Sequence, residues 1–307
     1  MRPTENYRYE MVIDGTVNNS RERIPMKNFF ILTNSYKDAE LSLTNNMKDY
    51  IKSKGAKVEV FVSKGEELNI DCVDAEVIPA DTELIFVLGG DGTLIRAARD
   101  TVSLNIPLAG VNLGTVGYLC ELDKENVFEA IDKLLDDEYL IENRMRLSGS
   151  IRRADGQVDC GDALNDIVIH RSGTLQLVNI ILYVNGEYLH SFSADGVIIS
   201  SPTGSTAYNL SAGGPIVDPN ARMMVITPIC AHDFASKSIV LSSDSKIEIE
   251  IGARRREADE RVNVSFDGDR IKELCLGERI EIRQADQDIR ILKLSGKSFL
   301  EILRKKL

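Results

Sequence analysis

The segment Gly89-Gly90-Asp91-Gly92-Thr93 constrains the fold more than any other part of this chain. Residues 84–88 before it are continuously apolar, as in a buried central strand of a parallel sheet. Residues 94–100 after it have the composition of a helix start. Glycine lets backbone N–H groups approach an anion closely, and a helix N-terminus adds partial positive charge. The segment therefore predicts an α/β fold with a phosphate-binding turn after a central strand.

Asp91 is the unusual member of this turn, because a carboxylate repels phosphate unless it has a task of its own. It can accept a proton from a hydroxyl nucleophile, or it can hold a metal ion. The pattern is neither GxxxxGK[ST] nor GxGxxG, so the mechanisms of those motifs do not apply. A purely structural strand-to-helix turn is the alternative, and the embedded acid favours a functional turn.

The composition limits the class of protein. The 307 residues are 43% hydrophobic and 28% charged, which is typical of a globular protein long enough for two domains. A net charge of −11 argues against a general nucleic-acid binder. The five cysteines are far apart and form no CxxC pair, which indicates reduced thiols rather than a zinc site or disulfides. No apolar run approaches the roughly 18 residues of a membrane span, and no secretory segment is recognisable, so we expect a cytoplasmic protein that binds no membrane.

The first half of the chain alternates predicted strands and helices, which favours a parallel sheet. Strands are expected at residues 28–33, 58–62, 84–88 and 106–111. Residues 112–119 form a second glycine-bearing loop. Because the carboxyl ends of parallel strands meet at one edge of the sheet, both glycine loops are expected to lie together there. Residues 1–25 lack periodicity and are interpreted as an extension or a loose strand.

Beyond about residue 145 the pattern changes to short alternating strands separated by turn signals such as Asn185-Gly186. This series is expected to continue through residues 289–294. The charged segment 252–260 is interpreted as a solvated loop. Ser298 is a predicted N-cap for a last helix. We therefore expect an α/β domain with a parallel sheet at residues 1–145, a β-rich, sandwich-like domain at 146–297 and a closing helix at 298–307.

Residues 200–208 are rich in glycine and small hydroxylated side chains and carry no charge. Such a segment suits a nucleoside, whose ribose and base edges are recognised by neutral hydrogen bonds. A flexible serine-rich loop is the alternative. Upstream, Asn165 and Asp166 stand at the head of a predicted strand, where an amide and a carboxylate can both accept hydrogen bonds from ribose hydroxyls. An ordinary turn is the alternative for this pair.

Together these motifs resemble the NAD kinase family, which uses ATP to phosphorylate the adenosine-ribose 2′-hydroxyl of NAD. The motif at residues 89–93 is also shared with diacylglycerol-kinase-like lipid kinases and 6-phosphofructokinases. Its combination with Asn165-Asp166, Asp195-Gly196 and residues 201–208 is specific, and residues 112–119 resemble the family's N-x-G-x-x-G-[FY]-L loop. The resemblance implies an active site between the two domains.

The resemblance also implies roles for residues of the first domain. Asp91 would be the general base that takes the proton of the 2′-hydroxyl. Gly92 would approach a nucleotide phosphate, and Arg96 would lie near the nucleotide. Tyr118 would lie along the adenine.

In the second domain, Asn165 and Asp166 would hold the dinucleotide, and Asp195 would contact its nicotinamide side. The Asn-Glu pair usual in the family is Asn165-Asp166 here, and an arginine that some members carry two residues before Asp195 is replaced by Ser193. The base and ribose pocket would be lined by Thr203, Thr206, Ala207, Tyr208, Asn209, Leu210 and Ser211.

The resemblance further implies a homo-oligomer, a dimer or a tetramer, that binds NAD and ATP and has no dedicated protein metal site. A divalent ion, Mg²⁺, would arrive with ATP and supply positive charge. Two other functions are open at this point. A lipid kinase would need an apolar or basic membrane-facing surface, and a non-enzymatic NAD sensor would have no use for the acid at position 91.

Overall fold

A computed structural model describes residues 25–63, 73–114, 117–153, 155–172, 177–232, 237–252, 261–294 and 298–306. Most of the predicted extension at 1–25 and most of the charged segment 252–260 lie outside these residues. The strands are β1 (Asn28–Asn34), β2 (Lys57–Ser63), β3 (Leu84–Gly89), β4 (Leu108–Asn112), β5 (Leu122–Asp123), β6 (Leu140–Arg144), β7 (Leu147–Arg152), β8 (Val158–Ala163), β9 (Asp166–Arg171), β10 (Val178–Val184), β11 (Glu187–Ala194), β12 (Gly196–Ser200), β13 (Met223–Ile229), β14 (Ile239–Ser242), β15 (Ile247–Gly252), β16 (Arg261–Phe266), β17 (Asp269–Cys275), β18 (Arg279–Gln284) and β19 (Ile289–Lys293).

Five α-helices accompany the strands in the described part of the chain. They are α1 (Ser42–Ser53), α2 (Asp91–Thr101), α3 (Val127–Leu135), α4 (Tyr208–Ser211) and α5 (Phe299–Lys306). Short 3₁₀ turns occupy Ala39–Leu41, Ala75–Val77, Val102–Leu104 and Thr203–Thr206. Within the described ranges, no helix combines the length and the apolar character needed to cross a bilayer.

The first sheet has the strand order β2-β1-β3-β4-β19-β6, and β5 pairs with β4 as well. Every pair is parallel except β19 with β6, so the expected parallel sheet is confirmed with one antiparallel edge strand. The central strand β3 is buried along its whole length. Helices α1 and α3 cover one face of the sheet and α2 covers the other, which explains why β3 is apolar without alternation.

Strand β19 corrects the sequence analysis, which placed residues 289–294 in the β-rich half. It lies between β4 and β6 in the first sheet. Ile291 packs on the side of α2, whereas Leu292 packs on the side of α1 and α3. The strand therefore buries apolar side chains on both faces, as a strand in a doubly covered sheet must. After forming the second domain, the chain returns to complete the first.

The second domain is a sandwich of two six-stranded antiparallel sheets, in the orders β11-β10-β15-β18-β7-β8 and β14-β13-β12-β9-β16-β17. Alternate residues of both sheets form one buried core, for example Ile249 of β15 and Ile169 of β9. The predicted β10–β11 turn has positive φ at Asn185 (53°) and Gly186 (83°), as its Asn-Gly sequence indicated. The sandwich-like expectation is confirmed.

Helix α5 closes the chain and begins where the sequence predicted. The Ser298 hydroxyl accepts from the Glu301 N–H at 3.2 Å, and the Glu301 carboxylate accepts from the Ser298 N–H at 2.9 Å. This reciprocal capping satisfies two backbone donors at the helix start. Phe299 and Ile302 then face the junction of the two domains.

Candidate active site

The glycine turn lies at the carboxyl end of β3, and α2 begins directly after it. Gly90 is the N-cap, with φ −119° and ψ −173°, and its N–H donates to Thr93 Oγ1 at 3.4 Å. A Cβ atom at Gly89 would lie 2.4 Å from the same oxygen, so a side chain at that position displaces the helix start. A Cβ atom at Gly90 or Gly92 would have no neighbour within 4 Å. The turn is therefore packed tightly against α2 at Gly89, whereas the space next to Gly90 and Gly92 is open.

Asp91 joins the two glycine loops, which confirms that they lie at one edge of the sheet. Its Oδ2 accepts from the Tyr118 N–H at 2.6 Å, and its Oδ1 accepts from the N–H groups of Leu119 at 3.2 Å and Cys120 at 3.0 Å. Gly117 leaves room for this contact, because a Cβ atom there would lie 1.9 Å from Oδ1. The Cys120 thiol also hydrogen-bonds to this carboxylate, so Asp91 is held firmly in the second glycine loop.

The Cys120 thiol next to this carboxylate is not a nucleophile. It is buried, and burial, followed by the negative charge of Asp91, raises the pKa of the thiol far above its usual range. Because the thiolate is the reactive form, Cys120 packs as an apolar side chain beside the turn.

Asp267 positions the predicted Asn165-Asp166 pair, and sequence reasoning missed it. It lies in the turn between β16 and β17 with φ 54°. Its carboxylate accepts from the N–H groups of Leu164 at 2.8 Å, Asn165 at 2.6 Å and Asp166 at 3.3 Å. Burial raises the pKa of Asp267, and the three N–H groups oppose that shift. The Asp267-Gly268 dipeptide, a hairpin signal, was the feature that could have indicated it.

Asp166 is a buried acid at the head of β9, as predicted. It is 5% exposed, and in the described ranges no side chain or backbone group donates a hydrogen bond to its carboxylate. Burial, reinforced by the charge of Asp267, raises its pKa from 3.8 to about 7. Its neighbours Ile167 and Ile169 point into the sandwich core, so Asp166 lies on the opposite, outer face of the sheet.

A cavity of about 890 Å³ lies on this outer face, and we call it the outer-face cavity. Among the predicted site residues it is lined by Asn165, Asp166, Asp195, Ala207 and Tyr208. Arg171 also lines it, and its Nε donates to Asp195 Oδ1 at 2.8 Å. Sequence reasoning gave no role to Arg171, because its partner is 24 residues away. The positive charge of Arg171 offsets the negative charge of one of the three acidic residues that border this cavity.

Most hydroxyl and amide groups of residues 200–209 hold their own loop. Ser205 Oγ donates to the Pro202 carbonyl at 2.7 Å, and the Asn209 amide donates to the carbonyls of Ser205 at 3.1 Å and Pro215 at 3.0 Å. A Cβ atom at Gly204 would lie 2.0 Å from the Asn165 carbonyl oxygen. The segment is thus a folded support pressed against Asn165, rather than the flexible loop of the alternative interpretation. Asn209 lies inside this support and is 0% exposed.

A second cavity, of about 280 Å³, lies between the two domains under α5, and we call it the interdomain cavity. Its lining includes Tyr118 of the first domain, Thr203 and Thr206 of the second, and Phe299 of α5. The Lys306 ammonium lies 4.3 Å from the centre of the Tyr118 ring. The 203–208 segment borders both cavities, so the eight predicted site residues that line them lie around one support loop.

Six predicted residues belong to the lining of neither cavity: Asp91, Gly92, Arg96, Asn209, Leu210 and Ser211. Arg96 on α2 has its Nε 3.9 Å from Asp269 Oδ2, which connects α2 to the second domain. Leu210 is half-buried and Ser211 is exposed at the end of α4. Neither belongs to the described lining of the two cavities.

An open glycine turn at the end of a parallel sheet is a site for an anionic group such as a phosphate, and the polar loop of the β-sandwich lines a cavity with Tyr118 beside it. This arrangement is that of a two-domain nucleotide-binding protein. The family model of the ATP-NAD kinase N-terminal domain matches residues 38–139, and that of the ATP-NAD kinase C-terminal domain matches residues 164–294. The chain belongs to the ATP-NAD kinase family, as the sequence motifs predicted, and the lipid-kinase alternative is thereby removed.

Curated relatives agree with this assignment. The chain is 51% identical to the NAD kinase of Agathobacter rectalis, over 92% of this chain and 99% of the relative. It is 41% identical to the NAD kinase of Lachnospira eligens, over 92% of this chain and 100% of the relative.

Solved structures have the same fold. Yeast NADH kinase complexed with NADH superposes with a TM-score of 0.78 at 25% identity, covering 92% of this chain and 87% of the yeast chain. An NAD kinase from Archaeoglobus fulgidus in complex with ATP superposes with a TM-score of 0.71 at 25% identity, covering 90% and 98% of the two chains.

Proposed function

We propose that this chain transfers the γ-phosphoryl group of ATP to the 2′-hydroxyl of the adenosine ribose of NAD, giving NADP, with Asp91 as the general base. NAD kinase activity is supported by the family membership and the curated relatives. The observation that carries the assignment of the base is the position of Asp91, on the first turn of α2 beside two glycines with open space above them.

The hydrogen bonds of Asp91 fit this role. Three backbone N–H groups hold the carboxylate, so it is oriented before a substrate binds. This carboxylate would accept the proton of the 2′-hydroxyl. Phosphoryl transfer depends mainly on positioning and charge stabilisation, so a fixed carboxylate that aligns the hydroxyl supplies much of what the reaction requires.

The outer-face cavity is the proposed place of the dinucleotide. Asn165 and Asp166 would accept hydrogen bonds from ribose hydroxyls, Ala207 and Tyr208 would border the base and ribose, and Asp195 would face the nicotinamide side. Arg171 supports this arrangement, since it supplies a positive charge next to Asp195 where a dinucleotide brings two phosphates. Tyr118, Thr203 and Thr206 would extend the binding surface toward the glycine turn.

Mg²⁺ would enter with ATP as part of the substrate and supply positive charge at the transferred group. Mg²⁺ is usually bound through substrate phosphates and one or two carboxylates rather than by an all-protein cage, which supports a metal delivered by the nucleotide. We further propose a cytoplasmic homo-oligomer, a dimer or a tetramer, in line with the family resemblance.

One assay tests the function. The full chain is incubated with ATP, Mg²⁺ and NAD, and NADP is measured with a coupled NADP-specific dehydrogenase. Formation of NADP that depends on all three components supports the proposal. Binding of NAD without formation of NADP would instead support the non-enzymatic sensor.

A further inference from the structure

Helix α2, which carries Asp91 in its first turn, is connected to the second domain from its last turn. There Arg99 donates from Nη1 to Asp269 Oδ2 at 3.2 Å and from Nε to Asp100 Oδ1 at 3.2 Å. The Nε of Arg96, three residues earlier on the same face of the helix, lies 3.9 Å from the same oxygen of Asp269. Asp269 is the first residue of β17, so these contacts join a helix of the first domain to a strand of the second.

Asp269 closes the turn that holds the Asn165-Asp166 pair. It is paired with Phe266 across this turn, whose two central residues, Asp267 and Gly268, have φ of 54° and 72°. The Asp267 carboxylate accepts from the N–H groups of residues 164–166, and the Asp267 N–H donates to the Asp166 carbonyl at 3.0 Å. These hydrogen bonds tie the turn to the backbone of the pair, so a movement of the turn moves the pair.

Leu164 adds an apolar contact at the same junction. It is 2% exposed and packs in one core cluster with Leu94 and Ala97 of α2, and its N–H is one of those that Asp267 holds. Helix α2 therefore meets the acceptor side near its middle through Leu164 and at its end through Arg99. Two separate contacts fix the direction of a helix, whereas one contact alone allows it to tilt.

We propose that Arg99 and Asp269 are positioning residues, whose ion pair holds α2 at the angle that places Asp91 against the hydroxyl to be phosphorylated. This inference rests on the proposed function, in which Asp91 is the base and Asn165 and Asp166 hold the acceptor. The ion pair connects the element that carries the base to the turn that holds the acceptor pocket.

The length of α2 makes the position of Asp91 sensitive to this ion pair. Without it, the helix can pivot about the apolar contact at Ala97, which is about 9 Å along the axis from Asp91 at a rise of about 1.5 Å per residue. A tilt of about 5° then moves Asp91 by about 0.8 Å. A displacement of about 1 Å at a reacting group can lower a rate about a hundredfold. The same ion pair adds little to the stability of the fold, because Asp269 is 48% exposed.

Asp269→Ala tests the ion pair in the full chain. It removes the carboxylate that Arg99 binds and leaves the contact between Arg99 and Asp100. We expect kcat for NADP formation to fall about five- to fiftyfold, with a melting temperature close to that of the wild type. KM for NAD and for ATP should change less than about threefold, because the acceptor pocket and the glycine turn each stay intact. Asp269→Glu, which keeps the carboxylate, should recover most of kcat.

Asp159→Ala is the matched control. Asp159 is 42% exposed and also lies between two cations, with Arg153 at 2.6 Å and Lys272 at 3.8 Å. Both partners belong to the sandwich, so this variant removes a similar ion pair without altering any contact of α2. Its kcat should match that of the wild type.

A double-mutant cycle with Arg99→Met shows whether Arg99 and Asp269 act through each other. Arg99→Met alone should lower kcat, and adding Asp269→Ala should lower it little further, because the ion pair is already lost. Independent, multiplicative losses of kcat in the double variant would contradict a shared role.

Wild-type kcat in Asp269→Ala overturns the proposal, and so does an equal fall of kcat in Asp159→Ala. A rise in KM for NAD with kcat intact also overturns it, because Asp269 would then support binding of the acceptor alone.

Hydrogen exchange gives a reading that does not depend on the reaction. The amides of residues 164–166 should exchange faster in Asp269→Ala than in the wild type or in Asp159→Ala, because the turn that holds them is no longer tied to α2. If the wild type forms NADP and Asp269→Ala keeps its kcat, the role of the ion pair is rejected and the function stands. If the wild type forms no NADP while these amides exchange faster in Asp269→Ala, the function is rejected and the connection between α2 and the turn stands.

Discussion

Asp91 holds the second glycine loop and is also the proposed base, so any substitution there alters both. Its carboxylate accepts from three backbone N–H groups of the second glycine loop, and it is the proposed base. In Asp91→Asn the new amide N–H₂ would face either the Tyr118 N–H or those of Leu119 and Cys120. The substitution therefore disturbs the loop as well as removing the base, and a second variant is needed to separate the two effects.

We expect Asp91→Asn to lower kcat by about 10²–10⁴, the usual contribution of a general base. Gly117→Ala is the matched comparison, because its Cβ would lie 1.9 Å from Asp91 Oδ1 and displace the loop without removing the carboxylate. Steady-state kinetics and melting curves of both variants distinguish loss of the base from displacement of the loop. If Gly117→Ala loses as much kcat as Asp91→Asn, Asp91 holds the loop and is not the base.

Asp166 should contribute to binding rather than to chemistry, since a ribose contact is made about equally in the ground and transition states. Asp166→Ala should raise KM for NAD about ten- to a hundredfold, the value of a charge-assisted hydrogen bond, with kcat nearly intact. Asp166→Glu, which keeps the carboxylate, should be milder. A fall in kcat with KM unchanged would show that Asp166 takes part in proton transfer.

The raised pKa of Asp166 predicts a pH dependence of stability. The native chain keeps this proton up to pH about 7, whereas the unfolded chain releases it near 3.8. Between these values the native state binds more protons, so the contribution of Asp166 to the free energy of unfolding decreases as pH rises. Asp166→Asn has no carboxyl group to titrate. Its free energy of unfolding should therefore increase relative to that of the wild type as pH rises from 4 to 7. Urea denaturation at several pH values measures it, and a constant difference would contradict the assigned pKa shift.

At the scale of elements, the 203–208 segment and α5 work as supports of the site. The segment touches the Asn165 carbonyl through Gly204 and borders both cavities. Helix α5 covers the interdomain cavity with Phe299 and Ile302. Both depend on local hydrogen bonds, the first on serine hydroxyls within the loop and the second on the capping of its first turn by Ser298.

Ser298→Ala should loosen α5, because it removes the oxygen that accepts from the Glu301 N–H. Loss of an N-cap costs about 0.5–2 kcal/mol, and a helix of 8 residues has little other stabilisation of its own. Hydrogen exchange should show faster exchange of the amides in residues 301–306, with the sandwich amides unchanged. Ser298→Thr keeps a capping hydroxyl and serves as the control. Equal exchange in all three proteins would mean that contacts with the cavity hold α5.

At the scale of the whole molecule, the first domain is not a continuous piece of chain. Strand β19 fills the position between β4 and β6, so the first sheet is complete only after the sandwich has been formed. Without β19, β4 would keep β3 and β5 but lose its neighbour toward β6, and β6 would have no partner strand in the described sheet.

A fragment of residues 25–145 should therefore fail to fold, although it contains the whole glycine turn. We expect weak circular dichroism and no cooperative urea transition for this fragment. A fusion that appends residues 286–306 through a flexible linker should recover a cooperative transition, since it restores β19 and α5. A cooperative transition of the unextended fragment would show that β19 is dispensable.

The amino-acid sequence by itself determined the local elements and the motifs: the strand, glycine turn and helix around Asp91, the Asn185-Gly186 hairpin, the Ser298 cap and the positions of Asn165 and Asp166. These depend on contacts among neighbouring residues, and their residue types permit few other conformations. Tertiary structure decided which strand completes the first sheet, how Asp267 holds the backbone at Leu164 across 103 residues, and how Arg171 meets Asp195. It also brought Arg99 of α2 to Asp269 of β17. Such pairings depend on strand order and register, which hydrophobic periodicity leaves open, because an apolar strand such as β19 fits any sheet covered on both faces.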